Sequence, residues 1–218
     1  MTRMDYDSPS TGPAERFFCL LGGDGSGKTT LLDGMAARHP DIVVVHWRHL
    51  SSVTLLPDLF PELRSGPEVC LRLGPNSRAA QFCYLAALEY EMVVAPALAR
   101  GKVVVVDSYW YKFAAKMQVL EMAAPFLPAV CRSLPGPDRI LFLDTPIELA
   151  QARKSDMNFF DCNGDVGNFA AFQESLRTVM LNFVEGLPLT RLDGRVPAPL
   201  LVERASQVCG LRHAVPVS

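Results

Sequence analysis

The sequence predicts an α/β domain of three layers, with a five-stranded parallel sheet flanked by helices on both faces. Two patterns carry this reading. Five short, nearly continuous apolar runs alternate with helix-patterned stretches, as strands buried on both faces require. A glycine-rich loop, GGDGSGKTT at 22–30, joins the first apolar run to the first helical pattern. A length of 218 residues suits one domain, able to bury roughly 70% of its unfolded surface.

The elements follow in order. RFFCLL (16–21) is a buried strand ending at Gly22. Beyond Lys28, Leu31, Leu32, Met35 and Ala36 recur at helical spacing until His39-Pro40 stops the helix. DIVVVHW (41–47) is the second strand, and the proline-punctuated stretch 51–75 is loop and short helix. A long helix runs from Asn76 or Ser77, as N-cap, to about Arg100, with Gly101 past its end. It is apolar almost all round, which predicts burial on several sides, part of it by a partner subunit in a homodimer. KVVVV (102–106) delivers Asp107 at its end, and a helix follows over about 110–122. RILFLD (139–144) is the fourth strand and IELAQARK a helix. Residues 155–168 are irregular, with Asn163-Gly164 and Gly167 as turn signals. Helix 169–185, strand LTRLD (189–193) and a helix over VERASQVC complete the domain. Residues 1–14, rich in Ser, Pro, Gly and Thr, read as a disordered leader; 15–212 is one domain and 213–218 a tail.

Composition excludes several classes. Lys and Arg number 21 against 23 Asp and Glu, a balance that argues against a polymeric nucleic-acid or anionic-membrane binder. The uninterrupted apolar runs fall far short of the roughly 18 residues that cross a bilayer. The N-terminus has no apolar signal-peptide core. The 6 cysteines are scattered with no zinc spacing, and several lie in apolar stretches, so a reduced, cytoplasmic protein is expected.

The loop matches G-x-x-x-x-G-K-[ST] through Gly22, Gly27, Lys28 and Thr29. Glycines let successive backbone N–H groups turn toward phosphate oxygens, and the helix that follows adds its positive end. Gly22, Gly23, Asp24, Gly25, Ser26, Gly27, Lys28, Thr29 and Thr30 are therefore the candidate nucleotide cradle. Lys28 is placed to reach the β- and γ-phosphates and the Thr29 hydroxyl to hold Mg2+. No N-K-x-D guanine motif is present, and the size suits a small-molecule or nucleotide kinase.

With that loop, three further segments resemble the thymidylate kinase family of P-loop kinases. VVAPALARGKVVVVDSY (93–109) is similar to its P-A-L-x-x-G-K-x-V-x-x-D-R-Y run. LFLDTPIELAQAR (141–153) is similar to its L-D-x-x-P-E-x-A-L-x-R, and LTRLDGR (189–195) resembles its last strand and adenine-side loop. The resemblance covers most of 16–210 and implies a P-loop kinase fold with a small lid, at about 155–168, over the phosphates. It implies ATP and Mg2+ as cofactors, Arg153 at the lid base, Asp24 near acceptor hydroxyls and Arg195 beside adenine. The pattern is not complete: D-R-Y reads Asp107-Ser108-Tyr109, the D-R pair of the long helix falls at about Leu85-Ala86, and R-E-P after strand two becomes HWRHLSS.

Asp107, at a strand end expected beside the loop strand, suits a carboxylate that holds Mg2+ or orients the attacking oxygen; a helix N-cap is the plain alternative. Asp144 has the same two readings. Lys28, Asp107 and Arg153 are the catalytic candidates, with Lys154 assisting, and Thr29 and Asp107 the metal ligands. Arg48, Arg78 and Lys112 are cations able to meet an acceptor anion, Phe82, Tyr109, Trp110 and Tyr111 could form a slot for a planar group, and His46 or His49 could serve as a base. The expected activity is transfer of the γ-phosphoryl of ATP to a nucleoside monophosphate. A kinase for a nucleoside or other small hydroxylated acceptor, and a non-catalytic nucleotide-binding protein, stay open.

Overall fold

A computed structural model of the chain describes residues 15–46, 74–122 and 124–211. The expected leader and tail, and residues 51–73 of the loop-and-short-helix stretch, lie outside the described residues. Five strands form one parallel sheet: β1 (Phe17–Leu21), β2 (Val43–Val45), β3 (Val104–Asp107), β4 (Arg139–Asp144) and β5 (Leu189–Asp193). Their order is β2-β3-β1-β4-β5. The chain leaves β1 toward one edge and later returns to its other side, so β1 lies at the switch point where such sheets open a crevice for ligands. Register brings Leu20 of β1 level with Asp107 of β3 and Leu21 level with Phe142 of β4. The Asp107 strand thus does neighbour the loop strand.

Alternation along the strands creates the three layers. Phe17, Cys19, Leu21, Val104, Val106, Ile140 and Phe142 join one core cluster, while Phe18, Leu20, Val105, Leu141 and Leu143 join the other. α1 (Lys28–Arg38) and the C-terminal helix (Ala198–Val208) cover the second face, packing on each other. The first face is covered by α2 (Pro75–Ala99), α3 (Tyr111–Val119), α4 (Leu127–Arg132) and the helix Phe169–Phe183. α5 (Ile147–Arg153), α6 (Phe159–Cys162) and a 3-10 turn (Val166–Asn168) lead into that last helix, α7, and the C-terminal helix is α8. Phe18 and Leu20 are fully buried, and truncating either to Ala costs about 2–5 kcal/mol.

Two expectations are corrected. α2 begins at Pro75 after an extended Gly74, not at an Asn76 or Ser77 cap, because proline at the first helical position brings a preset φ and gives up only an N–H that has no helical partner. The stretch 155–168 is ordered around a capping box: Asn158 Oδ1 accepts from Phe160 N at 2.9 Å, and Asp161 Oδ2 accepts from Asn158 N at 2.9 Å. Other element ends move by a few residues.

α2 also carries a feature its apolar pattern did not announce. Residues Glu89–Val94 wind as a π-helix, and Ala95 N donates to Tyr90 O, five residues back. Pro96 explains the departure: it has no N–H to donate, and its ring would crowd the carbonyl four residues earlier in a regular helix. By length and composition alone α2 could span a membrane, with a mean hydropathy of 1.4 in its most apolar window. Here it buries Ala79, Phe82, Leu85, Ala86, Val94 and Ala97 in the domain core.

The π-turn puts Glu89 inside, 2% exposed. Burial, and secondarily the Asp107 carboxylate, push the Glu89 carboxyl up to about 8. An unfolded Glu titrates near ~4.3, so between those values the folded chain holds the extra proton and stability falls as pH rises. Denaturant titrations from pH 5 to 8 should show wild type losing stability on the order of a few kcal/mol relative to Glu89→Gln. Parallel pH profiles would show that Glu89 is not a buried, proton-holding acid.

Candidate active site

The loop after β1 closes on itself through its own polar atoms. Ser26 Oγ donates to Gly23 O at 2.8 Å, and Lys28 Nζ donates to Gly22 O at 2.9 Å and Gly23 O at 2.8 Å. Gly25 and Gly27 lie at φ 73° and 100°, where side chains are strained, and a Cβ on Gly25 would strike the Ala150 carbonyl of α5. α5 in turn sends Arg153 to the loop: its guanidinium donates to Ser26 O at 3.4 Å and to Gly194 O at 3.2 Å. Thr145 Oγ1 donates to Ser26 O at 2.9 Å, a brace that sequence reasoning missed. Asp144 is likewise a brace, gripped by Arg177 at 3.0 and 2.9 Å and by Arg191 at 2.9 Å. Hydrogen bonding from Arg177, ahead of that from Arg191, holds its carboxyl below the usual range.

Asp24 organises the other side of the loop. Lys112 Nζ donates to Asp24 Oδ1 at 2.6 Å, while Lys116 Nζ stands 3.0 Å from Oδ2. Gln173 of α7 donates to the same Oδ2 at 3.0 Å and accepts from Asp24 N at 2.9 Å. Burial acts to raise the Asp24 carboxyl, but the charges of Lys112, Lys116 and Lys28 outweigh it and hold it well below the usual range. Burial and the adjacent Lys112 ammonium depress Lys28. Lys112 itself is raised, because Asp24 overcomes the effect of burial.

The segment 155–168 joins this hub. Asp161, 2% exposed, stands 3.4 Å from Lys116 Nζ and 2.9 Å from Lys154 Nζ, and its backbone O accepts from Gln173. Lys154 therefore faces an acid of that segment. Lys116, Asp161 and Gln173 were not singled out in the sequence, since a lysine on a helix and an acid in a loop each read as solvated surface. Only the i, i+4 spacing of Lys112 and Lys116 on one helix face hinted at a shared target.

Asp107 ends β3 beside this cluster. Ser108 Oγ donates to its Oδ1 at 2.8 Å, and His46 Nδ1 stands 3.8 Å from Oδ2. Burial would raise its carboxyl, yet His46, Lys28, Lys112 and Ser108 hold it down at about 2. It does not cap α3, whose N-cap is Trp110. Instead the chain turns through Ser108 and Tyr109 at φ 67° and 43°, a strained pair of residues with side chains.

The remaining candidates divide. Phe82, Tyr109 and Trp110 line one cavity with Phe113 and Glu89, while Tyr111 packs behind them, 4.2 Å from the Trp110 ring. Arg78 is buried at the start of α2, its guanidinium against Met122 Sδ. His46 also faces Asp33 at 3.3 Å. Arg195 forms a fork with Asp193 in the exposed last loop. Thr29 and Thr30 occupy the first turn of α1. Arg48 and His49 lie outside the described residues. Among the described residues no three His, Cys, Asp or Glu side chains gather as a metal site. A cation here would rest on Thr29, Asp107 and phosphate oxygens, a ligand set that suits Mg2+, which keeps much of its water.

Comparison with known proteins agrees with this architecture. No family model matches the chain. It is 26% identical over 211 residues to a thymidylate kinase of Protochlamydia amoebophila, covering 90% of this chain and 93% of that protein. It is 26% identical over 114 residues to a probable thymidylate kinase of Pyrococcus abyssi, about half of each chain at 52% and 53%. Its fold superposes on the crystal structure of thymidylate kinase from Ehrlichia chaffeensis with a TM-score of 0.64, covering 90% of this chain and 99% of the other at 14% identity. In sequence along nine-tenths of its length, and in fold, the chain is similar to thymidylate kinases.

Proposed function

We propose that the protein transfers the γ-phosphoryl of ATP, with Mg2+, to a nucleoside monophosphate. One observation carries the choice of acceptor: Lys112 and Lys116 of α3 reach the loop from the side opposite Arg153. The sequence lacks the arginines that thymidylate kinases turn to an acceptor phosphate, and these lysines supply positive charge in the same region of the fold. A neutral alcohol acceptor would have no use for it.

The acidity of Asp107 points the same way. A carboxyl held near 2 is a poor proton acceptor and a good cation ligand. A monophosphate attacks through an oxygen that is already deprotonated at neutral pH, so it needs no general base, whereas an alcohol does. In this reading the backbone N–H groups of 22–30 and the start of α1 hold the donor phosphates. Lys28 exchanges its Gly22 and Gly23 carbonyl partners for phosphate oxygens. Thr29 and Asp107 hold Mg2+, which neutralises phosphate charge when bound. Arg153 leans on the transferring group, and Lys112 leaves Asp24 for the acceptor phosphate. Phe82, Tyr109 and Trp110 bound the acceptor's ring, and Arg195 the adenine side. We also place the protein in the cytoplasm, consistent with five free cysteines among the described residues, and as a homodimer through α2, where Tyr84 and Met92 are exposed.

Incubation with ATP, Mg2+ and a panel of nucleosides and nucleoside monophosphates, read by 31P NMR, should show transfer to a monophosphate. Transfer to nucleosides alone would replace this reading with a nucleoside kinase, and no transfer with ATP still bound would make it a nucleotide-binding protein. Lys28→Ala should lower turnover by about 100-fold or more. Lys112→Met should raise the acceptor KM by about tenfold, and more than the ATP KM; an equal rise in both would place Lys112 on the donor. Size-exclusion chromatography with light scattering should give twice the 23.9 kDa chain mass, and a monomer would remove the dimer.

A further inference from the structure

Asp161 places a carboxylate inside the domain at a point where an uncharged side chain would serve the fold. Its side chain is 3% exposed, with Lys116 Nζ 3.4 Å from Oδ1 and Lys154 Nζ 2.9 Å from Oδ2. The surrounding segment is already held by other means. Cys162 is buried, Phe159 and Phe160 pack against the first-face core, and Gln173 donates to the Asp161 carbonyl at 3.0 Å. The capping box needs only an oxygen to accept from Asn158 N, and an asparagine supplies one. A buried ion pair is weak evidence of stabilisation, since uncharged side chains of similar volume often do no worse.

The lysines that Asp161 holds indicate what its charge does. Lys116 Nζ also stands 3.0 Å from Asp24 Oδ2, so one ammonium group is divided between a carboxylate of the glycine-rich loop and Asp161. Lys154 follows Arg153, whose guanidinium touches the same loop at Ser26 O. Two ammonium groups beside this loop, closed on a carboxylate, form an anion seat that the chain fills itself. A phosphate carries more charge and more acceptor oxygens than a carboxylate, and it competes well for such a seat.

We propose that Asp161 is an internal competitor for phosphate: its carboxylate fills the seat between Lys116 and Lys154, and a phosphate group held by the loop takes those lysines and releases the segment 155–168. Once both lysines turn to phosphate, Asp161 is a buried carboxylate facing a second anion, and its charge is accommodated only by moving into water. Linkage makes the effect reciprocal: whatever holds Asp161 in the seat weakens phosphate binding by the same factor. This rests on the reading of the protein as a kinase of phosphorylated substrates, and it adds an autoinhibitory contact to that site.

The test is calorimetric binding of ATP with Mg2+, and separately of dTMP, to the full chain. Asp161→Asn, which keeps the oxygen of the capping box, should bind at least one of them about tenfold tighter than wild type. A gain for ATP alone assigns the seat to a donor phosphate, and a gain for dTMP alone assigns it to the acceptor. Asp165→Asn removes a charge from an exposed position of the same segment and keeps the oxygen that accepts from Gly167 N. It should change either affinity by less than about twofold, because an exposed charge is screened by solvent and salt. In wild type, hydrogen exchange at the backbone N–H groups of 158–162 should quicken about tenfold at saturation with the ligand that takes the seat. Unchanged or weaker binding by Asp161→Asn overturns the proposal, as does an equal gain in Asp165→Asn. Exchange at 158–162 that slows or stays constant with both ligands also overturns it, and that measurement needs no variant to fold. If neither wild type nor Asp161→Asn binds ATP or dTMP, the kinase reading falls and this inference with it; equal binding by both proteins removes this inference alone.

Discussion

The contact between Asp24 and Lys112 ties the phosphate loop to everything that faces it. Only 15% and 12% of the Lys112 and Asp24 side-chain surfaces remain exposed, and removing charges from water is costly unless each is paired with good geometry. Asp24 meets that condition with Lys112, Lys116 and the Gln173 amide, so removing any one of them leaves a charge or a polar atom uncompensated. Through these partners the loop is bound to α3 and α7, and through Lys116 and Gln173 to Asp161 of α6. Fixing those elements fixes the gap between the Asp107 strand and the loop.

The same network sets the electrostatics. Lys28, Lys112, Lys116 and Lys154 stand against Asp24, Asp107 and Asp161, so the local field is poised for added negative charge while the network stays largely neutralised. Phosphate oxygens can replace carboxylates and carbonyls as partners without creating unpaired ammonium groups on the way. The positive charge facing the loop from this side comes from one face of α3, through Lys112 and Lys116.

Much of the fold was legible because its signals are local. The alternation of Phe17 through Leu21, the spacing of the apolar residues after Lys28, and the glycines of the loop each act within a few residues, and the sheet formed as the pattern implied. The position of the loop between β1 and α1 was legible for the same reason. The π-turn at Glu89–Val94 was not, because the apolar pattern that predicts a continuous helix to about Arg100 does not say how the backbone accommodates Pro96. Asp161 was hidden in a loop whose acids looked solvated, and Lys116 on a helix where a lysine is ordinarily exposed.

By itself the sequence determined the strands and the glycine-rich loop that joins β1 to α1, because those depend on periodicity and on the spacing of glycines beside one lysine. Tertiary structure alone decided which distant charges share a partner: Asp24 with Lys112, Lys116 and Gln173, and Asp161 with Lys116 and Lys154. It alone decided that Glu89 is buried without a partner beneath an aromatic cavity. The physical reason is that charge pairing and burial depend on distance in space, and residues 24, 112 and 173 become neighbours only when the sheet order places β3 and β4 on either side of β1.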